Sequence, residues 1–253
     1  MSPMDNNIAK NEIAHGERLA RGNPEDAWGW STPAGKKRAL RRALMIMESA
    51  GLGAESSVLE IGCGTGLFTE YFSRCGANIV AVDISHELIA RARERGLPAD
   101  RIRFVEGAFE ECHFPIPFDA IIGSSVLHHL DLDVAIIKIY QLLKPGGTIS
   151  FTEPNMLNPQ IMIQKNIPWI KDRLGDSPDE TAFFSWDIKS KLKKTGFQDI
   201  MVRPFDWLHP AIPELLVDRV SRIGAVLEGM TLIKEFSGSL HISARRPGQS
   251  AKC

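Results

Sequence analysis

The chain lacks any uninterrupted apolar run near the roughly 20 residues that a transmembrane helix needs. Its opening residues, Met1-Ser2-Pro3-Met4-Asp5-Asn6-Asn7, carry no signal-peptide pattern. Cysteine is scarce. Cys63, Cys75, Cys112 and Cys253 stand apart without a C-x-x-C pair, which excludes a disulfide frame or a cysteine zinc site. Reduced thiols and a cytoplasmic location are the expectation. An excess of one charge sign is also missing. Thirty basic against 31 acidic side chains leave a formal charge of −1, so no overall field draws the chain to nucleic acid or anionic lipid. Repeats and low-complexity tracts are absent. What remains is 253 residues of ordinary globular composition, 43% hydrophobic and 24% charged, enough for one α/β domain with insertions.

The first twenty-odd residues are polar with a weak helical pattern, and a turn-rich segment holding Trp28 and Trp30 follows. Thr32-Pro33 has the form of a helix cap with proline in the first turn. Behind it Leu40, Ala43, Leu44 and Met47 recur at helical spacing among Lys36, Lys37, Arg38, Arg41 and Arg42. From Ser57 the texture becomes short β-branched runs alternating with amphipathic stretches. Strands are expected at 57–61, 78–82, 101–105, 119–122 and 148–151, with helices at 67–75, 86–95 and 134–143 between them. That alternation predicts βαβ units and a doubly wound, mostly parallel sheet covered on both faces. The last third is less regular: a helix over 185–195, a strand near 200–203, a helix over 213–227 and a final strand at 239–244. We divide the chain into a helical covering segment, 1–54, and a domain, 55–253, with insertions at 155–184 and 204–237. Both insertions follow carboxyl ends of strands, the ligand edge of such a sheet, and so read as lids or binding loops.

The most informative stretch is Val58-Leu59-Glu60-Ile61-Gly62-Cys63-Gly64-Thr65-Gly66. Glycines at alternate positions between a buried strand and a helix let the main chain turn sharply and touch a ligand. A dinucleotide fingerprint would place its third glycine one position later, which disfavours a nicotinamide dehydrogenase. The next strand ends at Asp83, 17 residues after Gly66, where a carboxylate can accept hydrogen bonds from two ribose hydroxyls. Ser85 is equally able to cap the helix that follows, leaving Asp83 free for a ligand.

With these residues in order the chain resembles class I S-adenosylmethionine-dependent methyltransferases of the small-molecule type. Phe118 to Leu130, containing His128-His129, is similar to the family's fourth-strand motif, and Leu142 to Gly147 to the turn before its fifth strand. The resemblance implies a Rossmann-like, seven-stranded sheet with an antiparallel last strand. It also implies S-adenosyl-L-methionine as cofactor and S-adenosyl-L-homocysteine as product. Glu60, Gly62, Cys63, Gly64, Gly66, Asp83, Ile84, Ala108, Phe109, Gly123 and Ser124 are the cofactor-binding candidates that it implies. One departure stands out: Ala108 occupies the place where the family often has an acid for the adenine amino group. Backbone groups, Phe109, Glu106 or Glu110 are the substitutes available.

Methyl transfer from a sulfonium asks the protein mainly to align the acceptor and exclude water, so no catalytic triad is expected and no metal is called for. His128 and His129 are the candidate bases, with packing beside the cofactor as the plainer reading. Glu153, Asn155, Trp207 and His209 are substrate candidates. Trp169, Phe183, Phe184, Trp186 and Phe205 form either a small core within the insertions or an apolar pocket. Arg38, Arg41 or Arg42 could meet a methionine carboxylate. The first functional reading is methylation of a small molecule. RNA or protein methylation, a degenerate cofactor-binding protein and an aminopropyl transferase are the alternatives. Against RNA stand the near-zero charge and the lack of an N-P-P-Y-like tetrapeptide.

Overall fold

The computed structural model describes residues 6–167, 169–171 and 180–248. Part of the first insertion (Pro168 and residues 172–179), the opening five residues and Cys253 therefore lie outside the described residues. Three helices come first: α1 (Asn6–Ala20), the single turn α2 (Pro24–Ala27) and α3 (Pro33–Ala50). Thr32 caps α3 as its spacing suggests, its hydroxyl accepting from the Gly35 amide at 3.0 Å, with Pro33 in the first turn.

Then follow β1 (Ser57–Ile61), α4 (Leu67–Ser73), β2 (Asn78–Asp83), α5 (His86–Glu94), β3 (Ile102–Glu106) and β4 (Phe118–Ser124). A short 3-10 helix (Leu127–His129) leads to α6 (Leu132–Leu142) and β5 (Leu143–Pro154). The chain continues through α7 (Pro159–Asn166), α8 (Ser185–Thr195), β6 (Gln198–Phe205), α9 (Glu214–Gly229) and β7 (Ser239–Arg245). The expected strands are all present. β5 starts earlier than its β-branched core because Leu143 already pairs with Phe118. The register slips between Phe118 and Ala120, absorbing the Pro145-Gly146-Gly147 turn as an irregularity.

The seven strands lie in the order β3-β2-β1-β4-β5-β7-β6, and β7 runs antiparallel to both its neighbours. Strand alternation divides the core between the two faces. Leu59, Ile61, Ile121, Ile149 and Phe151 pack with Ile136 and Ile139 of α6 and with Ile188 and Leu192 of α8. On the other face Val58, Ile79, Ala120 and Ile122 meet Ala39, Ala43 and Ile46 of α3 and Phe68 and Phe72 of α4. Phe72, Phe118, Phe151 and Phe205 are fully buried, each contributing roughly 1.5–3 kcal/mol. Helix α3 thus covers the sheet directly, while α1 and α2 lie over its carboxyl edge. No helix among the described residues is long and apolar enough to cross a membrane.

Candidate functional site

The strand order reverses between β1 and β4, and a cavity of about 910 Å³ opens above that point. Its two ends are built differently. One end is the glycine loop. Gly62, Gly64 and Gly66 all have positive φ, at 68, 53 and 77°, and Gly62 and Gly64 line the cavity with Cys63 between them. A Cβ on Gly64 would meet the Trp28 ring at 3.3 Å, so loop and tryptophan already touch. Asp83 holds the loop from the next strand: its carboxylate accepts from the Gly64 amide at 2.7 Å and the Ser85 amide at 2.9 Å. Burial pushes its pKa up. A carboxylate has about four acceptor positions, so sites remain toward the cavity, which Asp83 also lines. Ser85 caps α5 by accepting from Leu88 N, in agreement with the spacing argument.

Ile84, Ala108, Phe109 and Ser124 line the same end. Glu110 lies two residues beyond Ala108. It turns into the cavity wall with neither buried carboxylate oxygen in a hydrogen bond, and burial raises its pKa. Glu106 instead pairs with His86 at 2.8 Å away from the cavity. Three cofactor candidates sit elsewhere than the motif suggests. Glu60 shares the β1 face of Val58 and points down beside Thr69, and burial pushes its pKa up to about 8. Gly66 begins α4 as its N-cap. Gly123 lies within β4, where a Cβ would strike Ile61 O at 2.8 Å and Phe151 at 2.9 Å. These two glycines shape the crevice without lining it.

Arginines from α3 close the side of the cavity. Arg38 donates to Asp206 at 2.8 Å, and Arg42 reaches Asp206, Ser239 and Ser125. Ser125 and Asp206 both have positive φ, 56 and 78°, at the ends of β4 and β6, so two uncommon backbone conformations converge on one guanidinium. Burial and the neighbouring Arg38 lower the Arg42 pKa to about 10, and its Nε is buried without a hydrogen bond. Trp30 lies against both guanidiniums at 5.3 and 5.2 Å. Arg41 is excluded from this group because Glu228 clamps it through both carboxylate oxygens.

The other end carries histidines. The 3-10 helix after β4 puts His128 and His129 side by side, ring centroids 4.1 Å apart, and both line the cavity. Glu153 was expected to face a substrate, but it is fully buried behind them. One oxygen accepts from the Val126 and Leu127 amides at 3.0 and 2.9 Å, the other from His128 Nδ1 at 2.6 Å. Glu180 lies 3.5 Å from His128 Nε2. Burial alone would depress His128, yet the two carboxylates raise its pKa to about 9. Glu12 from α1 stands 3.0 Å from His129 Nδ1, and His15 one turn later stacks toward the same ring.

Asn155 is a staple, not a cavity residue: its Nδ2 donates to Glu235 O and Ser237 O at 2.8 Å each. Trp207 packs against Gly224 of α9, also outside the cavity. His209 does line it and meets Gln160 at 3.0 Å. Among the other aromatics, Trp28 and Trp30 face the cavity, Phe183 and Phe205 are core, and Trp169 and Trp186 are exposed. Sequence reasoning missed Glu12, His15, Gln160, Gln164, Lys165 and Glu180, which also line the cavity. An i, i+3 acid–histidine pair on a polar helix was the one signal available.

The residues present fit an adenosyl sulfonium with an amino-acid tail: a carboxylate for the sugar, glycines that clear space beside the loop, and guanidiniums with an unsatisfied buried N–H. Residues 59–151 match the family model described as a methyltransferase domain. A ubiquinone biosynthesis O-methyltransferase of Xylella fastidiosa is 37% identical over 132 residues, 48% of this chain and 52% of that protein. A demethylmenaquinone methyltransferase of Thermobifida fusca is 29% identical over 173 residues, 64% and 72% of the two chains. The match to the first relative spans about half its length. Among solved structures, the N-methyltransferase NodS from Bradyrhizobium japonicum, in complex with S-adenosyl-L-homocysteine, superposes with a TM-score of 0.63. It is 18% identical, over 94% of this chain and 99% of the other. Residues 59–151 are thus similar to a methyltransferase domain, and the fold is one that solved methyltransferases share.

Proposed function

We propose that this protein transfers a methyl group from S-adenosylmethionine to a small-molecule acceptor held at the histidine end of the cavity. The observation that carries this reading is the single cavity joining Asp83 and the glycine loop to His128 and His129. When bound, the sulfonium supplies an already activated methyl carbon, so the protein's own task is alignment and exclusion of water. Asp83 holds the ribose, Glu110 takes the adenine amino group in place of an acid at residue 108, and Arg42 with Arg38 holds the carboxylate tail. Trp28 and α1 cover the crevice from above. Glu153 fixes the His128 ring, whose Nε2 faces Glu180, and His129 stands beside it. His209 and Gln160 are the substrate contacts of the insertions; Glu153 supports His128 from behind, and Asn155 ties the end of β5 to residues 235–237.

Two further expectations belong to this reading. Residues 1–54 act as the covering segment of the domain 55–253, and the protein works in the cytoplasm. The depth of the cavity favours a small molecule over RNA or a protein side chain, since Trp28, α1 and α7 add walls above the sheet edge. The relatives' names point to quinone-biosynthetic acceptors, and methylation of such a ring is the first acceptor class to try. Calorimetric titration with S-adenosylhomocysteine tests the cofactor half, with one site per chain expected. A screen of metabolite pools with isotope-labelled methyl donor tests the other half. Absence of binding by the homocysteine product would end the proposal, while binding with no labelled product from any pool would favour a cofactor-binding protein without turnover.

A further inference from the structure

The histidine end contains more carboxylate than alignment of an acceptor requires. His128, His129 and Glu180 bring one ligand atom each to within 4.8 Å of one another. The two imidazoles are backed differently. Glu153 takes His128 Nδ1 at 2.6 Å, which leaves Nε2 pointing at Glu180, 3.5 Å away. This carboxylate–histidine arrangement is how protein metal sites orient an imidazole ligand. His129 supplies a second, independent sign. Its Nδ1 is buried and only 3.0 Å from Glu12 Oε2, yet the approach lacks hydrogen-bond geometry. A buried imidazole nitrogen without a hydrogen bond, on a ring that belongs to the same three-residue cluster, is a donor atom that the protein's own network leaves over.

We infer that His128, His129 and Glu180, with Glu12 at the edge, form a binding site for a first-row divalent cation beside the methyl acceptor. Two imidazole nitrogens with one or two carboxylates form a donor set for Zn²⁺, Co²⁺ or Mn²⁺, not for Mg²⁺ or Ca²⁺, which prefer all-oxygen shells. This inference rests on the methyltransferase reading and deepens it: the ion would coordinate the acceptor's oxygen or nitrogen and polarise it as a Lewis acid. The two histidines then serve as ligands instead of taking the acceptor's proton.

Lys165 makes the inference sharper. Its ammonium pairs with Glu180 and its side chain is nearly buried, so it occupies with positive charge the place that a cation would claim. Removing Lys165 should therefore strengthen metal binding, whereas removing a ligand should weaken it.

The test uses tag-free, chelator-stripped full-length protein titrated with Zn²⁺ by calorimetry and with Co²⁺ by visible absorption. Mg²⁺ serves as the negative control and S-adenosylhomocysteine binding as the check on folding. One equivalent of Zn²⁺ is expected, with a Co²⁺ band of tetrahedral intensity. His129→Gln and Glu180→Gln should abolish stoichiometric binding. Glu153→Gln should weaken it roughly 10–100-fold through the lost support of His128, and Lys165→Met should tighten it. Three results would overturn the inference: no equivalent of Zn²⁺ in either wild type or Lys165→Met, unchanged binding in His129→Gln, or Mg²⁺ binding as tightly as Zn²⁺. Each presumes normal S-adenosylhomocysteine binding in the same sample; loss of that binding in the wild type would instead sink the methyltransferase reading.

Discussion

The two ends of the cavity are assembled by different routes. The glycine-loop end comes mainly from one stretch, residues 62–110, folded as consecutive βαβ units, with Trp28 and Ser124 added to it. The histidine end draws Glu12 and His15 from α1, His128 and His129 from the turn after β4, Lys165 from α7, and Glu180 and His209 from the insertions. The first end is local in sequence and held by main-chain hydrogen bonds. The second is non-local and held by side-chain ion pairs. A strand–turn–helix joint can be conserved in shape with little regard for the rest of the chain, whereas a pocket made from five separate segments changes whenever any one of them does. That division suits an enzyme that keeps its methyl donor and varies its acceptor.

Breaking the local end should have the largest effect. Gly62 has a φ of 68°, and a Cβ there would meet Val126 at 2.3 Å. Gly62→Val combines a disfavoured backbone with a severe clash, so a loss of about 3 kcal/mol or more in stability is expected by chemical denaturation. S-adenosylhomocysteine binding should disappear with it. Retention of near-wild-type stability and affinity would show that the loop does not hold this shape.

Glu60 tests the floor beneath that loop. Burial raises its pKa from 4.5 to about 8. Between those pH values the folded protein keeps the proton that the unfolded chain has released, so stability falls as pH rises, by about 1.4 kcal/mol per unit at the steepest. The contribution is fully present below pH 4.5 and gone above pH 8. Glu60→Gln removes this slope and should gain on the order of 2–3 kcal/mol over wild type at pH 8. Urea midpoints at pH 5 and pH 8 give the check, and parallel pH dependence in the two proteins would contradict it.

Asp83 isolates binding from folding. Asp83→Ala removes a charged acceptor for the ribose hydroxyls and should weaken S-adenosylhomocysteine by roughly 1.5–3 kcal/mol in calorimetry. Asp83 acts on His129 and Glu12 through its charge alone, so properties measured at the histidine end should change far less. Equal loss at both ends would mean that the two are not separable.

The same division explains what could be read in the amino acids. Strands β1 to β3 were legible because each is a short, largely apolar run closed by glycine or a helix cap, signals that need only neighbouring residues. Thr32-Pro33 and Ser85 were legible for that reason too. Glu153 was not: its place at the end of β5 pointed to the ligand edge, but the 3-10 turn after β4 folds over it and offers two amides and an imidazole. Asn155 was misleading in the same way, because the partner carbonyls at Glu235 and Ser237 lie 80 and 82 positions away. Lys165 and Glu180 carry no local pattern at all, and Glu12 only its spacing to His15. Only the three-dimensional meeting of α1, α7 and the first insertion gives them a role.

Helix α1 is the element that joins the two ends, and a small perturbation of it sharpens the comparison furthest. It crosses α5 so closely that a Cβ on Gly16 would lie 2.5 Å from Ser85 Oγ, two residues from the ribose carboxylate. One turn earlier it presents Glu12 to His129. Arg91 of α5 ties down its C-terminal end by donating to Ala20 O and Gly22 O, at 2.6 and 2.8 Å. Gly16→Leu cannot keep that crossing, so α1 must lift while the sheet stays folded. Global stability should change by only about 1 kcal/mol, because α1 contributes no residue to the two main buried clusters. Proteolysis within residues 6–32 should accelerate, S-adenosylhomocysteine should bind more weakly through the opened crevice, and Glu12 should leave His129. An effect on only one end would mean that α1 covers that end alone; effects on both would identify it as the element that the two ends share.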